Sequence, residues 1–427
     1  MVLIYAHTAS TRLTYICSFI FKELLHTDNV ITTDIEEFER FDGIKINYSD
    51  HISNSKLLFE DTIHPQLIEC FTVNGYKAFF KTENSFFPFD IFAASFYLLS
   101  RYEEYLPDTK DRYGRYAHEN SLAFKEAFLD QPLINTWVQH FAFKLNELYP
   151  SFTYYISDFT FIPTYDIDIA WSYKHKGFYR TLGGAFQSLL QFKWGALINR
   201  KLTILGLKKD PFDSFAQMDV LHEKYRLTPL YFFLVAGENG DYDKNILPST
   251  SAMKRLIKAH ANKYTIGIHP SWQSGDDKTL LKQEIHSLEE ISGKKITISR
   301  YHYIRFNLPE GYRQLTAAGI KEDHSMGYGT INGFRASVAS SFYWYDLKKE
   351  EQTSLRIHPF CYMEATSFYE QKLSAAEAFE EMIHYYTACK AINGTFISLW
   401  HNQFLGTDPL YKGWKETYEK FLATISA

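Results

Sequence analysis

Residues 160–168 read T-F-I-P-T-Y-D-I-D, an apolar run that stops on two carboxylates one residue apart. In extended chain, residues i and i+2 share a face, so Asp166 and Asp168 point the same way at the mouth of a strand. Two carboxylates held together there repel unless a cation or a proton intervenes. The same grammar recurs downstream. Short apolar runs at 160–165, 229–235, 264–268, 295–299, 319–321, 354–357 and 395–399 each end in polar or charged residues. Helix-like stretches at 213–225, 250–263, 278–291, 309–318 and 374–391 lie between them. Strand-then-helix alternation of this kind predicts a parallel α/β barrel, distorted and of about seven strands, whose chemistry sits at the C-terminal strand ends.

Those ends are where the reactive residues collect. The run 264–268 leads into His269, followed by Pro270, Ser271 and Trp272. The next ends Ser299-Arg300-Tyr301-His302-Tyr303, the one after it Lys321-Glu322-Asp323, and the last runs into His401-Asn402. Singly, each of these reads equally well as a cap, a solvated group or a satisfied histidine. Recurrence at five strand ends is not explained by accident. Asp and His donors without cysteine suit a catalytic zinc or another divalent ion with open positions for water.

The chain has 427 residues, enough for two or three domains. Residues 1–155 read as a smaller N-terminal α/β domain. Strand-like runs fall at 2–6, 43–47 and 78–80, and helix-like runs at 13–25, 88–102 and 132–148. Residues 156–427 hold the barrel pattern, with an insertion at about 170–210. The 45 basic and 50 acidic residues leave no basic excess, which argues against nucleic acid as a partner. Four scattered cysteines, Cys17, Cys70, Cys361 and Cys389, make neither a disulfide framework nor a thiolate zinc site. No apolar run approaches the ~18 residues of a membrane span, and no basic leader opens the chain. A cytoplasmic protein without a transmembrane segment is expected.

The order of motifs in the second half resembles the polysaccharide deacetylases of the NodB homology type, carbohydrate esterase family four. Thr164-Tyr-Asp-Ile-Asp168 is similar to the family's first motif, in which one aspartate is the catalytic base and the next a metal ligand. His269 resembles the first histidine of the second motif. Position 273, where a second histidine is usual, is Gln. Arg300-Tyr-His-Tyr303 resembles the third motif with histidine in place of proline, and Leu399-Trp-His401 the closing one. The whole chain looks like a divergent bacterial branch carrying an extra N-terminal α/β domain. Stretches such as 97–105, 323–327, 333–336 and 399–402 look like signatures of it.

The resemblance implies a metal-dependent hydrolase that removes an N-acetyl group from a sugar. Asp168 and His269 would hold a divalent metal, expected to be zinc, with His302 or Asp323 as the third ligand. His302 would preserve an imidazole-rich set. Asp166 would be the catalytic base, Arg300 its partner, and His401 the acid for the leaving amine. Trp272, Tyr303, Arg335 and Trp400 are the expected substrate contacts, with a structural salt bridge the other reading of Arg335. Residues 170–210 are rich in lysine, arginine and aromatics, and leave from the mouth of the site. They suggest a lid over a phosphate- or lipid-linked glycan, with peripheral membrane contact. Two other functions stay open: hydrolysis of another small non-peptide C–N amide, and a non-catalytic carbohydrate-binding or scaffold protein on a barrel that lost its metal with Gln273.

Overall fold

A computed structural model of the chain describes residues 1–49, 57–59, 67–83, 85–177 and 194–426. Its strands, in chain order, are β1 (Val2–Tyr5), β2 (Asn29–Thr32), β3 (Ile44–Asn47), β4 (Phe71–Val73), β5 (Tyr76–Ala78), β6 (Thr160–Ile167) and β7 (Leu230–Phe233). They continue with β8 (Thr265–Ile268), β9 (Ile298–Ser299), β10 (Glu322–Asp323), β11 (Phe342–Asp346), β12 (Glu351–Ile357), β13 (Tyr362–Met363) and β14 (Thr395–His401). The chain divides into two compact units, each gathered from separated stretches.

The first unit takes in Met1–Phe161, Ile304–Cys361 and His384–Ile397. Its N-terminal sheet runs β2-β1-β3, all parallel. Every residue of β1 is buried, as expected of a parallel strand covered on both faces. Here β11 and β12 form an antiparallel pair, and β10 runs parallel to β12. Long-range ion pairs bind the separated stretches. Arg12 meets Glu350 at 2.6 Å, and Arg335 meets Glu104 at 2.6 Å. The run expected as a strand at 319–321 begins instead on a left-handed Gly319 (φ +88°), and the strand follows at Glu322–Asp323.

The second unit comprises Ile162–Tyr303, Tyr362–Ile383 and Ser398–Ala427. Its strands lie in the order β9-β8-β7-β6-β14-β13. The pairs β9–β8, β8–β7, β7–β6 and β14–β13 are parallel. Among the described residues no pairing joins β9 to β13. Among the described residues these strands form a parallel-rich sheet, and closure into the expected barrel is not seen. Helices follow the strands. The one at Lys278–Ser292 is capped by Asp277, which accepts from Thr279 and Leu280, and ends on left-handed Gly293. Leu281, Ile285, Leu288 and Ile291 give it a buried stripe at helical spacing. Gly267 in β8 has no room for a side chain: a Cβ would sit 2.8 Å from the Ile298 carbonyl and 2.8 Å from the Phe232 ring. No helix among the described residues is long and apolar enough to cross a membrane.

Candidate active site and metal centre

The residues of the site belong to the second unit, and the central ones stand at the C-terminal ends of its strands. Asp166 is the second-last residue of β6, and Asp168 follows the strand by one. His269 follows β8, Arg300 follows β9, and His401 closes β14. The ladder holds these positions past the strands themselves. His269 N–H donates to Phe233 O (3.0 Å), Arg300 N–H to Ile268 O (3.0 Å) and His302 N–H to Pro270 O (3.2 Å). After His302 the backbone is left-handed at two non-glycine residues, Tyr303 (φ +58°) and Ile304 (φ +55°). A β-branched residue there is strained, a cost that concentrates at sites where geometry matters.

Three imidazoles converge on one carboxylate. His269 Nε2 lies 3.1 Å from Asp168 Oδ1, while His302 Nε2 and His401 Nε2 lie 3.4 and 3.3 Å from Asp168 Oδ2. In each ring the other nitrogen is committed to a fixed acceptor. His269 Nδ1 donates to the Arg300 carbonyl (2.5 Å), His302 Nδ1 to Asp243 (2.9 Å) and His401 Nδ1 to Glu364 (2.7 Å). A neutral ring that donates from Nδ1 presents a lone pair at Nε2, the tautomer of a metal-bound histidine. Lone pairs facing carboxylate oxygens repel, so the arrangement calls for protons or a cation among them. The buried Asp168 Oδ1 makes no hydrogen bond. Ligand atoms of Asp168, His269 and His302 all lie within 4.8 Å of one another. This donor set fits a divalent ion such as zinc, with one carboxylate, two imidazoles and open positions beyond them.

Asp166 lies beside that group and outside it. Its Oδ1 accepts from Arg300 at 3.0 Å, and its Oδ2 is 3.6 Å from His269 Nε2. Arg300 is fully buried, also donates to Thr164 Oγ1 (2.7 Å), and lies 4.4 Å over the Phe232 ring. Phe232 in turn packs where Gly267 lacks a side chain.

The charges do not cancel by themselves. Four carboxylates, Asp166, Asp168, Asp243 and Glu364, stand in the site; Arg300 donates to Asp166, and the others face imidazoles. Burial works to neutralise Asp168, but His302, His401 and His269 outweigh it and hold its carboxyl well below the usual range. Burial disfavours charge on His302 too, yet Asp168 and Asp243 lift it to about 9. His401 is raised well above an ordinary histidine, as Glu364 and Asp168 overcome its burial. Glu364 is itself raised by burial, against the pull of His401.

Of the expected substrate contacts, Trp272 and Tyr303 stand at the site and are half-buried. Trp272 stacks on Tyr242 (3.8 Å between centroids, 16°) and meets Tyr303 edge-on (5.6 Å). Tyr303 lies 4.6 Å from the His302 ring. Trp400 and Arg335 lie elsewhere. Trp400 is fully buried against Tyr418 and Trp414, because adjacent strand residues face opposite ways and His401 takes the open side. Arg335 is buried in the first unit with its guanidinium on Glu104 and the Gly327 carbonyl. Asp323, the other candidate ligand, is fully buried in the first unit and accepts from Ser325 N–H and Oγ–H.

The lid expected over residues 170–210 falls partly outside the described residues, which omit 178–193. What is described begins with a clamp. Asp210 accepts backbone N–H bonds from Ser172, Tyr173 and Lys174 at 2.8–2.9 Å, fixing the chain just after Asp168. A helix spans Trp194–Ile204.

Two orienting carboxylates were hard to find in the sequence. Asp243 lies ten residues beyond β7, in the loop Gly240-Asp-Tyr-Asp-Lys244. Its only local signal is Asn245, which ties that loop to the Ile167 and Leu234 carbonyls at 2.8 and 3.0 Å. Glu364 follows the two-residue β13; from the sequence it could line the mouth, and reads more often as a cap.

A family model described as a family of unknown function (DUF7033) matches residues 2–150. No curated protein matches the chain. Among solved structures, a protein from Mycobacterium smegmatis assigned to the polysaccharide deacetylases is similar at 14% identity. It covers 64% of this chain and 85% of its own, with a TM-score of 0.41. The polysaccharide deacetylase Bc1974 from Bacillus cereus is similar at 12% identity, over 62% and 88% of the two chains, with a TM-score of 0.32. The carbohydrate esterase family four pseudoenzyme BA3943 from Bacillus anthracis is similar at 9% identity, over 51% and 58%, with a TM-score of 0.30.

Proposed function

We propose that this chain is a metal-dependent hydrolase that removes an N-acyl group, acetyl in the simplest case, from a sugar. The observation that carries the reading is the convergence of three imidazole Nε2 atoms on Asp168, each ring locked through Nδ1, with Asp166 and Arg300 alongside. The order of motifs along the chain supports it.

In this reading Asp168, His269 and His302 hold the ion. When bound, a divalent ion polarises the acyl carbonyl and lowers the pKa of water from about 16 toward about 7. Asp166 accepts the proton of the attacking water, a role worth roughly 10²–10⁴ in rate. Arg300 fixes the direction of the Asp166 carboxylate. As the new C–O bond forms and the C–N bond breaks, His401 Nε2 delivers a proton to the departing amine nitrogen. Glu364 holds the His401 ring through Nδ1 and favours its protonated form. The products are a carboxylate and an amino sugar. Trp272 and Tyr303 offer aromatic surface to the sugar ring.

The test is metal content together with acetate release from N-acetylglucosamine oligomers. Asp166→Asn should keep the ion and lose turnover, and Asp168→Ala should lose both. A wild-type protein that neither holds a divalent ion nor releases acetate would turn the reading to a non-catalytic carbohydrate-binding protein, with Gln273 as its mark.

A further inference from the structure

The helix Trp194–Ile204 of the second unit is turned inside out. A surface helix ordinarily buries its apolar stripe and shows polar residues to solvent. Here Trp194, Ile198 and Lys201 fall at i, i+4 and i+7, one line along the helix, and Leu205 continues it at i+11. The line holds past the last helical residue, because Leu205 N–H still donates to Lys201 O (3.0 Å). All four residues are exposed. The opposite side is polar and faces inward. Thr203 is fully buried, and Arg200 lies 4.8 Å over the Tyr173 ring.

The end of the helix repeats the inversion. Gly206 (φ +74°) closes it, with Gly206 N–H on Thr203 O (3.1 Å) and Leu207 N–H on Leu202 O (2.9 Å). In such a cap the residue after the glycine frequently packs back on the last turn. Leu207 is instead 74% exposed. Trp194, Ile198, Ile204 and Leu205 are 47–60% exposed, so five large apolar side chains meet solvent between 194 and 207. Basic charge surrounds them. Residues 194–209 contain Arg200, Lys201, Lys208 and Lys209 and no acidic residue. Lys208 Nζ reaches back to Asn199 Oδ1 on the helix flank (2.8 Å). An open cleft sets Lys174 and Lys176 beside Ile204 and Leu205. The next carboxylate in sequence, Asp210, is buried and committed to backbone N–H groups.

We propose that this helix docks the protein on an anionic phospholipid surface. Basic residues around an apolar stripe that carries a tryptophan make up a helix that lies in the plane of a membrane interface. Trp194, Ile198 and Leu205 enter the acyl boundary, and Lys201 extends its amine back to the phosphates. Lys208 and Lys209, just beyond the cap, meet the same charged layer. A second copy of this chain is the poorer occupant. A symmetric contact would set one lysine-bearing stripe against another with no acid between them. The attachment needs no turnover, so it stands or falls apart from the hydrolytic reading.

The experiment is co-sedimentation of the full-length protein with vesicles of phosphatidylcholine alone and of phosphatidylcholine mixed with phosphatidylglycerol. Wild type should pellet with the mixed vesicles, less so in high salt, and stay in solution with the neutral ones. Each basic residue at an anionic surface contributes about fivefold to binding. Lys201→Gln, Lys208→Gln and Lys209→Gln together should therefore weaken it about a hundredfold. Ile198→Ser with Leu205→Ser should weaken it about a hundredfold as well, with the charge unchanged. These side chains are exposed, so the variants should fold, which circular dichroism checks. Wild type that stays in solution with both kinds of vesicle overturns the proposal. So does binding that the Ile198→Ser, Leu205→Ser variant keeps in full, which would be adsorption by charge alone. A wild-type dimer that this variant dissolves, without vesicle binding, would give the face to a second copy and overturn the proposal too.

Discussion

Glu104 offers the sharpest physical test, because its environment converts directly into a dependence of stability on pH. The carboxylate is fully buried between two guanidiniums. Arg335 reaches it at 2.6 and 2.8 Å and Arg101 at 2.8 Å. Burial alone would raise its pKa, but Arg335 and Arg101 win and bring it from 4.5 to about 2. A carboxyl depressed on folding adds stability that is complete above the unfolded value and disappears as pH falls through the folded one. The window therefore runs from about 4.5 down to about 2. Each pH unit inside it changes stability by about 1.4 kcal/mol, so the full effect is about 3 kcal/mol. Between about pH 4.5 and pH 3 the loss should be about 2 kcal/mol. Glu104→Gln removes this titration and leaves Arg335 without its charged partner, costing about 3–5 kcal/mol at neutral pH. Urea unfolding at several pH values, read by linear extrapolation, measures both. The gap between wild type and variant should narrow by about 2 kcal/mol on going to about pH 3. Parallel stability curves for the two proteins would refute the reasoning, and with it the assignment of Arg335 to the interior.

Other expectations follow from the same geometry. Asp243→Asn weakens the acceptor that orients His302 and should lower metal affinity about 10–100-fold, measured by chelator competition; unchanged affinity would remove Asp243 from the site. Gly267→Ala should lower kcat more than KM, because the new methyl meets Ile298 O and displaces Phe232 beneath Arg300; full kcat would mean that Arg300 need not be held. His222 is buried against Tyr165 and Tyr264, and burial lowers it to about 4. It is neutral in the fold, so its share of stability is present above about pH 6.5 and lost as pH falls toward about 4. His222→Gln should flatten acid unfolding in that window, and an unaltered slope would show that the ring is already charged.

Strand-end logic located the candidate site with little help from anything else. An apolar run that breaks on a charged residue marks where a strand leaves its sheet. Six of the residues singled out on that basis, Asp166, Asp168, His269, Arg300, His302 and His401, come together in one unit. Trp400 shows a rule that was available and unused: its neighbour His401 faces the open side, so Trp400 must face the core. Arg335 shows what no local pattern carries. Its partner Glu104 is 231 residues away, and neither residue announces the other. The same holds for Arg12 and Glu350, whose pairing joins stretches that read as separate halves of the chain. Sheet closure was also beyond reach, because alternation of strands and helices fixes neighbours, not whether the last strand returns to the first.

The Asp210 clamp has a consequence for how the chain tolerates change. Its carboxylate grips the N–H groups of Ser172, Tyr173 and Lys174, so the stretch of sequence after the first motif leaves and returns at a single knot. A segment whose two ends are pinned together can be lengthened or shortened without pulling on what lies outside the knot. Each doubling of such a loop adds only about 0.6 kcal/mol of closure entropy. Asp168, just before the knot, is thereby insulated from drift in the sequence between 175 and 209. That stretch can change in length while the end of β6 stays where it is.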